Sequence, residues 1–270
     1  MKLVDGKALR DKILFELKAK IEKENLKPCL AIIQVGDNEA SERYIRQKLL
    51  AAETIGAKVE LINFPENTAQ KEVETKIENL NANKQVSGII VQLPLPVHLQ
   101  SDKLIELISP AKDVDGLTEN SLFKPATPSG VMKILEEYQV PIKGKTAIVL
   151  GRSKLVGAPL KTMLEEAGAE IIQIHSQTPK PIDSLVQKGD IVISAVGQPK
   201  LVTANMVKKD VVVIDIGMNR DPETGKLVGD VDFENVSKKA SLITPVPGGV
   251  GPMTVAMLMT NLVKAASIDN

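Results

Sequence analysis

Tyr44 and Lys48 stand four residues apart in a segment of helical spacing, so their side chains share one helix face. A phenol beside an ammonium can orient it, and partial burial lowers the lysine's hold on its proton. A lysine tuned toward neutrality is a usable general acid–base. The same spacing fits an ordinary solvated lysine beside a half-buried tyrosine, which is the commoner case on helices. Gln92 closes an apolar run ahead of Pro94 and Pro96. That is the carboxyl end of a strand, where α/β sheets bind ligands, and its amide can donate and accept; it also suits a simple strand-end cap. Asp113 and Asp115 lie two apart in Asp-Val-Asp-Gly. Paired carboxylates can serve as acid and base or hold a metal, but with no third ligand the pattern reads first as a turn, and no metal is expected. Pro247-Gly248-Gly249-Val250-Gly251-Pro252 has no polar side chain. Its glycines let a backbone approach a ligand closely, and its prolines stiffen the loop.

A second constellation follows a β-branched run, Thr146–Leu150. The run enters Gly151 and is followed by Gly157, after which Leu160, Met163, Leu164 and Ala167 repeat at helical spacing up to Gly168. A glycine turn at a helix start presents backbone N–H groups to a phosphate. The dinucleotide fingerprint is matched only in part, because Ser153 and Val156 stand where further glycines belong. Arg152 in the turn can grip a phosphate. The next strand ends in His175-Ser176 rather than in the acid that would bind a ribose 2′-OH. Together these point to NADP over NAD.

The elements that must position these groups alternate. Leu9, Ile13, Leu17 and Ile21 predict a first helix, broken at Lys27-Pro28. Strands are expected at 30–35, 59–64 and 86–91, and helices over 39–55, through Val73, Ile77 and Leu80, and over 104–108. The order predicts a parallel sheet covered by helices. The pattern lapses from Asp113 to Ser129, and Val131, Ile134, Leu135 and Tyr138 mark a connecting helix. Strands are then expected at 146–150, 169–174, 191–196, 211–216 and 242–243, with a hairpin turn at Pro222–Gly225 and a last helix from Met253. The fold class is therefore α/β in two domains: an N-terminal α/β domain with a parallel sheet and a Rossmann-like domain, with an interdomain cleft as the expected place for a small molecule.

Composition narrows the classes. Lys plus Arg and Asp plus Glu are both 34, so the formal net charge is zero and nothing favours nucleic acid or a membrane surface. Aromatics are 2% with no Trp, which excludes base-stacking platforms. The single Cys29 lies in an apolar run, excludes an internal disulfide and fits a reducing compartment. The start lacks a signal peptide's apolar core and no run of 18 apolar residues occurs, so a soluble, cytoplasmic protein is expected.

Several stretches stand in one order: Val35-Gly36 with Ser41, Tyr44 and Lys48; Gly88–Pro96; Lys112–Gly116; Thr127–Gly130; Gly151–Ser153 with Val156-Gly157 and Pro159; Gly229–Phe233; and Pro245–Thr254. Over nearly its whole length the chain resembles the bifunctional methylenetetrahydrofolate dehydrogenase/methenyltetrahydrofolate cyclohydrolase family (FolD). The resemblance implies oxidation of 5,10-methylenetetrahydrofolate with NADP, then hydrolysis to 10-formyltetrahydrofolate, within one-carbon metabolism and purine biosynthesis. It implies that Lys48 is the catalytic lysine, that Tyr44 packs against the folate and that Gln92 tunes the lysine. Asp115 would hydrogen-bond the pterin, with Pro247 and Gly248 beside the substrate. Gly151, Arg152, Ser153, Ser176, Met218 and Thr254 would meet the cofactor. It implies domains of 1–118 plus 253–270 for folate and catalysis and 119–252 for the dinucleotide, and a homodimer paired through the second. The strand near 191–196 and the hairpin at 222–229 are the candidate contacts.

Three departures stand out: a short stretch between Gly116 and Pro128, Ala126 where a cysteine is common, and Gln177 where a basic residue is frequent. Other readings are a monofunctional dehydrogenase and a non-catalytic nucleotide-binding protein on the same fold. The presence of Tyr44, Lys48, Gln92 and Asp115 argues against both.

Overall fold

The computed structural model describes residues 1–221 and 224–268. The chain opens with β1 (Lys2–Leu3) and α1 (Gly6–Glu24), then alternates through β2 (Cys29–Val35), α2 (Glu39–Ile55), β3 (Lys58–Phe64), α3 (Gln70–Ala82), β4 (Gly88–Val91) and α4 (Ser101–Glu106). After α5 (Ala126–Glu137) come β5 (Thr146–Leu150), α6 (Gly157–Glu166), β6 (Glu170–Ile174), α7 (Asp183–Val186), β7 (Ile191–Ser194) and β8 (Val212–Asp215). A ribbon of β9 (Asn219–Arg220) and β10 (Leu227–Val228), α8 (Phe233–Val236), β11 (Leu242–Ile243) and α9 (Val250–Ile268) complete the order. Two units result: Asp11–Ala126 with the chain from Val255 onward, here the first unit, and Thr127–Thr254 with Met1–Arg10, the second.

The first unit is built on a three-stranded parallel sheet in the order β3-β2-β4. Every residue of β2 is buried, as a strand with neighbours on both sides and helices over both faces requires. Ala31, Ile33 and Val35 pack with Val73, Ile77 and Leu80 of α3, which recur on one helical stripe. Burial of each large aliphatic side chain there contributes about 2 kcal/mol. The chain leaves β2 to one side through α2 and β3, then returns to the other side in β4. The carboxyl ends of β2 and β4 therefore flank a switch point, the ligand position of open α/β sheets.

The second unit repeats the rule on a six-stranded sheet, β1-β11-β8-β7-β5-β6, paired in parallel throughout. Its core joins Ile148 and Leu150 of β5, Val192 of β7 and Val213 of β8 to Val186, Val236 and Ile243. Here β6 lies on one side of β5 and β7 on the other, so the switch point falls after Leu150 and Ser194.

The expected alternation is present in both units, with differences of detail. β1 was not expected; two residues carry no periodicity, yet they pair with Leu242 and Ile243. This pairing draws residues 1–10 into the second unit, whereas the expected boundaries placed them with the first, and the divisions fall at 126/127 and 254/255 rather than 118/119 and 252/253. Thr127-Pro128-Ser129 form the first turn of α5 rather than an irregular crossing, and α9 starts at Val250, ahead of Pro252. A proline in a first turn gives up an N–H that has no helical partner anyway. β7 is interior to its sheet and ends at Ser194, so it offers no free edge to a second subunit. Around the expected hairpin turn, β9 and β10 do pair antiparallel, Thr224 and Gly225 fold back on Asp221, and Pro222 and Glu223 lie outside the described residues. No helix among the described residues is long and apolar enough to cross a membrane.

Candidate active site

In the first unit α2 starts on Asn38, whose side-chain oxygen accepts the Ser41 N–H at 3.1 Å. Its inward stripe is Ser41, Ile45, Lys48, Ala52 and Ile55. Lys48 is thus held on the buried face, 7% exposed. Its Nζ donates to Gln92 Oε1 at 3.0 Å. Gln92 continues β4, its backbone N–H bonding the Ile33 carbonyl at 2.8 Å, and its Nε2 donates to the Leu93 carbonyl at 2.7 Å. The second bond fixes which way the amide faces, leaving Oε1 toward the lysine. The buried Ser41 hydroxyl donates to the same Leu93 carbonyl.

Burial pushes the Lys48 ammonium toward losing its proton, and the nearby Asp115 carboxylate opposes that. Gln92 accepts from the lysine and so favours the charged form slightly. Burial is the main influence lowering the lysine's hold on its proton, and Gln92, a neutral amide bonded to Nζ, adds no negative charge beside it. Asp115 is raised by burial too, with Lys48 lowering it and Asp113 raising it. Tyr44, half-buried one turn before Lys48, has its phenol raised chiefly by burial, so it stays neutral.

The two aspartates separate in role. Asp113 is buried and spends its carboxylate on the loop, accepting from Gly116 N, Thr118 N and Thr118 Oγ1 at 2.7–3.0 Å. That turn leads into Asp115, which lies within electrostatic reach of the lysine. Gly116, with φ of +73°, is the one residue type the turn admits, because a Cβ would strike the Lys124 and Pro125 backbone. Asn261 on α9 holds the same loop through the Val114 and Lys124 carbonyls. Among the described residues no group of three or more His, Cys, Asp or Glu is placed to share a metal.

In the second unit Gly151 has φ of +112°, and a side chain there would strike the Ala195 carbonyl. A Cβ on Gly157 would strike the Gly151 backbone. The turn is as close to its neighbours as bare backbone allows, with Arg152, Ser153 and Lys154 exposed over it. The Ser153 hydroxyl also accepts from Val156 N and Gly157 N, at 3.2 and 3.4 Å, and so caps α6. Ser176 is exposed just past β6, in a turn where His175 Nδ1 accepts the Gln177 N–H. Met218 is exposed just past β8. Thr254 pairs with Thr127 through their hydroxyls at 3.0 Å, joining the N-terminal ends of α9 and α5. Pro247 and Gly248 lie in the turn before α9, where the Gly248 carbonyl accepts the Gly6 N–H. Tyr44, Lys48, Gln92 and Asp115 thus belong to the first unit, and Pro247, Gly248 and the nucleotide-side residues to the second.

Sequence reasoning missed two buried acids of the second unit. Asp215 accepts from Gly217 N, Asp230 N and Val231 N at 2.9–3.0 Å. Asp230 accepts from Ser194 Oγ, Val196 N, Gly197 N, Gln198 N and Asn219 Nδ2 at 2.7–3.2 Å. The available signal was a pair of glycines: a Cβ on Gly217 would strike the Asp230 carboxylate, and one on Gly229 the Asp215 carboxylate.

Comparison with known proteins agrees with this division. Residues 4–115 match the family model of the tetrahydrofolate dehydrogenase/cyclohydrolase catalytic domain, and residues 125–270 that of its NAD(P)-binding domain. The bifunctional protein FolD of Nautilia profundicola is 46% identical over 98% of this chain and 97% of its own. The crystal structure of the Campylobacter jejuni bifunctional enzyme FolD superposes with a TM-score of 0.94 at 46% identity, covering 99% of each chain. The Trypanosoma brucei dehydrogenase-cyclohydrolase, complexed with NADP cofactor and an inhibitor, superposes at 0.93 with 36% identity, covering 98% of this chain and 97% of its own.

Proposed function

The chain belongs to the tetrahydrofolate dehydrogenase/cyclohydrolase family and carries both activities, and from that premise we propose how its residues divide the work. It oxidises 5,10-methylenetetrahydrofolate to the methenyl form with NADP and hydrolyses that to 10-formyltetrahydrofolate. The NADP, when bound, supplies the hydride acceptor. The turn whose two end glycines leave no room for a Cβ, with Arg152 exposed on it, fits the pyrophosphate, and no acid follows β6 to repel a 2′-phosphate. Ser153, Ser176, Met218 and Thr254 complete the nucleotide side in this reading.

Oxidation needs no protein base, because N5 of the folate feeds electrons to the one-carbon unit as its hydride departs. The first unit then has to orient the pterin. Tyr44 offers a neutral, half-buried ring face, and Asp115 accepts pterin N–H groups. Hydrolysis needs proton transfer. Lys48 entering as the free amine takes a proton from the water that attacks the amidinium carbon. As the C–N5 bond breaks, it returns that proton to N5, and the hydroxyl proton of the new formyl group goes to solvent. Gln92 aims Nζ through both stages.

The observation that carries this reading is the burial of Lys48 with a neutral amide as its partner. In Lys48→Met, methenyltetrahydrofolate hydrolysis should fall by about 10³-fold while NADP reduction keeps a much larger fraction. Full hydrolysis by the folded variant would sink the assignment. We further read the protein as a cytoplasmic homodimer, on the family resemblance and with the β9–β10 ribbon as the contact. Equilibrium sedimentation at the monomer mass would remove that part.

A further inference from the structure

The reaction as assigned does not use Asp230, yet this carboxylate is 0% exposed and gathers five donors. Three are the consecutive backbone N–H groups of Val196, Gly197 and Gln198, with Gly197 at φ of +74°. Successive N–H groups turned to one point form an anion-binding nest. Here the protein's own carboxylate fills it. The fifth donor is Asn219 Nδ2, at 2.9 Å from Asp230 Oδ1, on the strand that directly follows Met218. One carboxylate therefore fastens the loop leaving β7 to the loop leaving β8.

Those loops carry Val196 and Met218, exposed by 37% and 38% respectively. Exposed apolar side chains at the carboxyl edge of a parallel sheet are in the ligand zone. Its direction follows from the turn after β5. The phosphates belong at Gly151, and the adenosine ribose belongs past β6, where a ribose-binding acid would stand. The nicotinamide end then runs the other way, over β7 and β8. We infer that Asp230 is a positioning residue for the nicotinamide: by holding both loops it sets the separation of Val196 and Met218, the apolar surfaces that receive the ring. Gly217 is glycine because the bridging carboxylate fills its Cβ space.

This inference rests on the NADP reading above, and the two activities separate their failures. Asp230→Asn keeps the shape and loses acceptor capacity. Its NADPH dissociation constant, read by nucleotide fluorescence, and its KM for NADP should both rise about tenfold. Cyclohydrolase activity, assayed without nucleotide on supplied methenyltetrahydrofolate, should stay within about twofold of the wild type. Asn219→Ala cuts only the bridge to the β8 loop and should weaken NADPH binding about threefold, again sparing hydrolysis; it decides the matter if Asp230→Asn does not fold. Unchanged NADPH binding in Asn219→Ala and in folded Asp230→Asn would overturn the inference. Parallel loss of both activities would overturn it too, as the mark of a merely structural residue. A wild-type protein that hydrolyses methenyltetrahydrofolate but binds no NADPH would remove the cofactor reading itself, and the inference with it.

Discussion

Lys48 and Asp230 are both ionisable side chains taken out of water, one in each unit, and their surroundings differ in number and kind of partner. Asp230 receives five N–H or O–H donors. Lys48, which as an ammonium has three N–H groups, meets one hydrogen-bond acceptor among the described residues, the neutral Gln92 oxygen, with the Asp115 carboxylate near. A buried charge surrounded by fixed dipoles is held in one state and one place. A buried charge with few partners is free to change its state when a substrate or water arrives. The satisfied cluster is scaffold and the sparse one is chemistry. Lys112 sharpens the contrast, since it is also a buried lysine. Its Nζ donates to the carbonyls of Leu80, Asn81 and Asn83 at 2.7–3.0 Å, closing the C-terminal end of α3.

Short of removing the lysine itself, the largest expected effect comes from making the sparse cluster resemble the satisfied one. Gln92→Glu places a carboxylate where Oε1 now lies, 3.0 Å from the lysine nitrogen. The ammonium becomes the favoured form. Hydrolysis at neutral pH should fall by about 100-fold and its pH profile move to the alkaline side. A profile that stays in place would mean Lys48 is not the titrating carrier, and the comparison would break. Next in size is a pair of identical substitutions. Lys112→Met strips a buried helix end of its cap and should cost about 2 kcal/mol in denaturant unfolding, with both kcat values kept. Lys48→Met should leave the fold as stable or more so, because burying that lysine is a cost in the native state. Equal stability losses in the two would erase the distinction between them.

How much of this was legible beforehand depends on where the partners come from. Gly151 and Gln92 were readable because each closes an apolar strand and precedes a glycine turn or a proline run. Lys48 was readable as a candidate, but its helical position argued for solvent. The deciding signal was its register with Ile45, Ala52 and Ile55, which puts it on the inward stripe. The Asp113–Asp115 pair read as a turn, and half of it is one. Asp230 was not legible as a bridge. Three of its five donors are backbone N–H groups, which every non-proline residue carries and no pattern marks. β1 was equally silent, since its pairing with β11 needs only two residues and a sheet edge 240 residues away to receive them.

The smallest expected effect tests whether the satisfied cluster is satisfied throughout. Asp215 lies beside Asp230, and burial lifts its carboxyl to about 6 despite three backbone N–H donors, with the second carboxylate also raising it. Its folded value is thus above its unfolded one. Between pH 7 and pH 5 the folded chain takes up a proton at this site that the unfolded chain does not. Stability from this group therefore rises on acidification, is complete below the unfolded value near 4, and is lost as pH climbs through 6. Over pH 7 to 5 the gain is about 1 kcal/mol. Asp215→Asn keeps every other ionisable group, so the difference between the two proteins isolates the site. Unfolding of the second unit, followed by hydrogen exchange at β8, should show the wild type gaining on the variant as pH falls. Parallel curves would place Asp215 with the fully held acids, and the two units would then differ in chemistry alone, with no strained charge in the second.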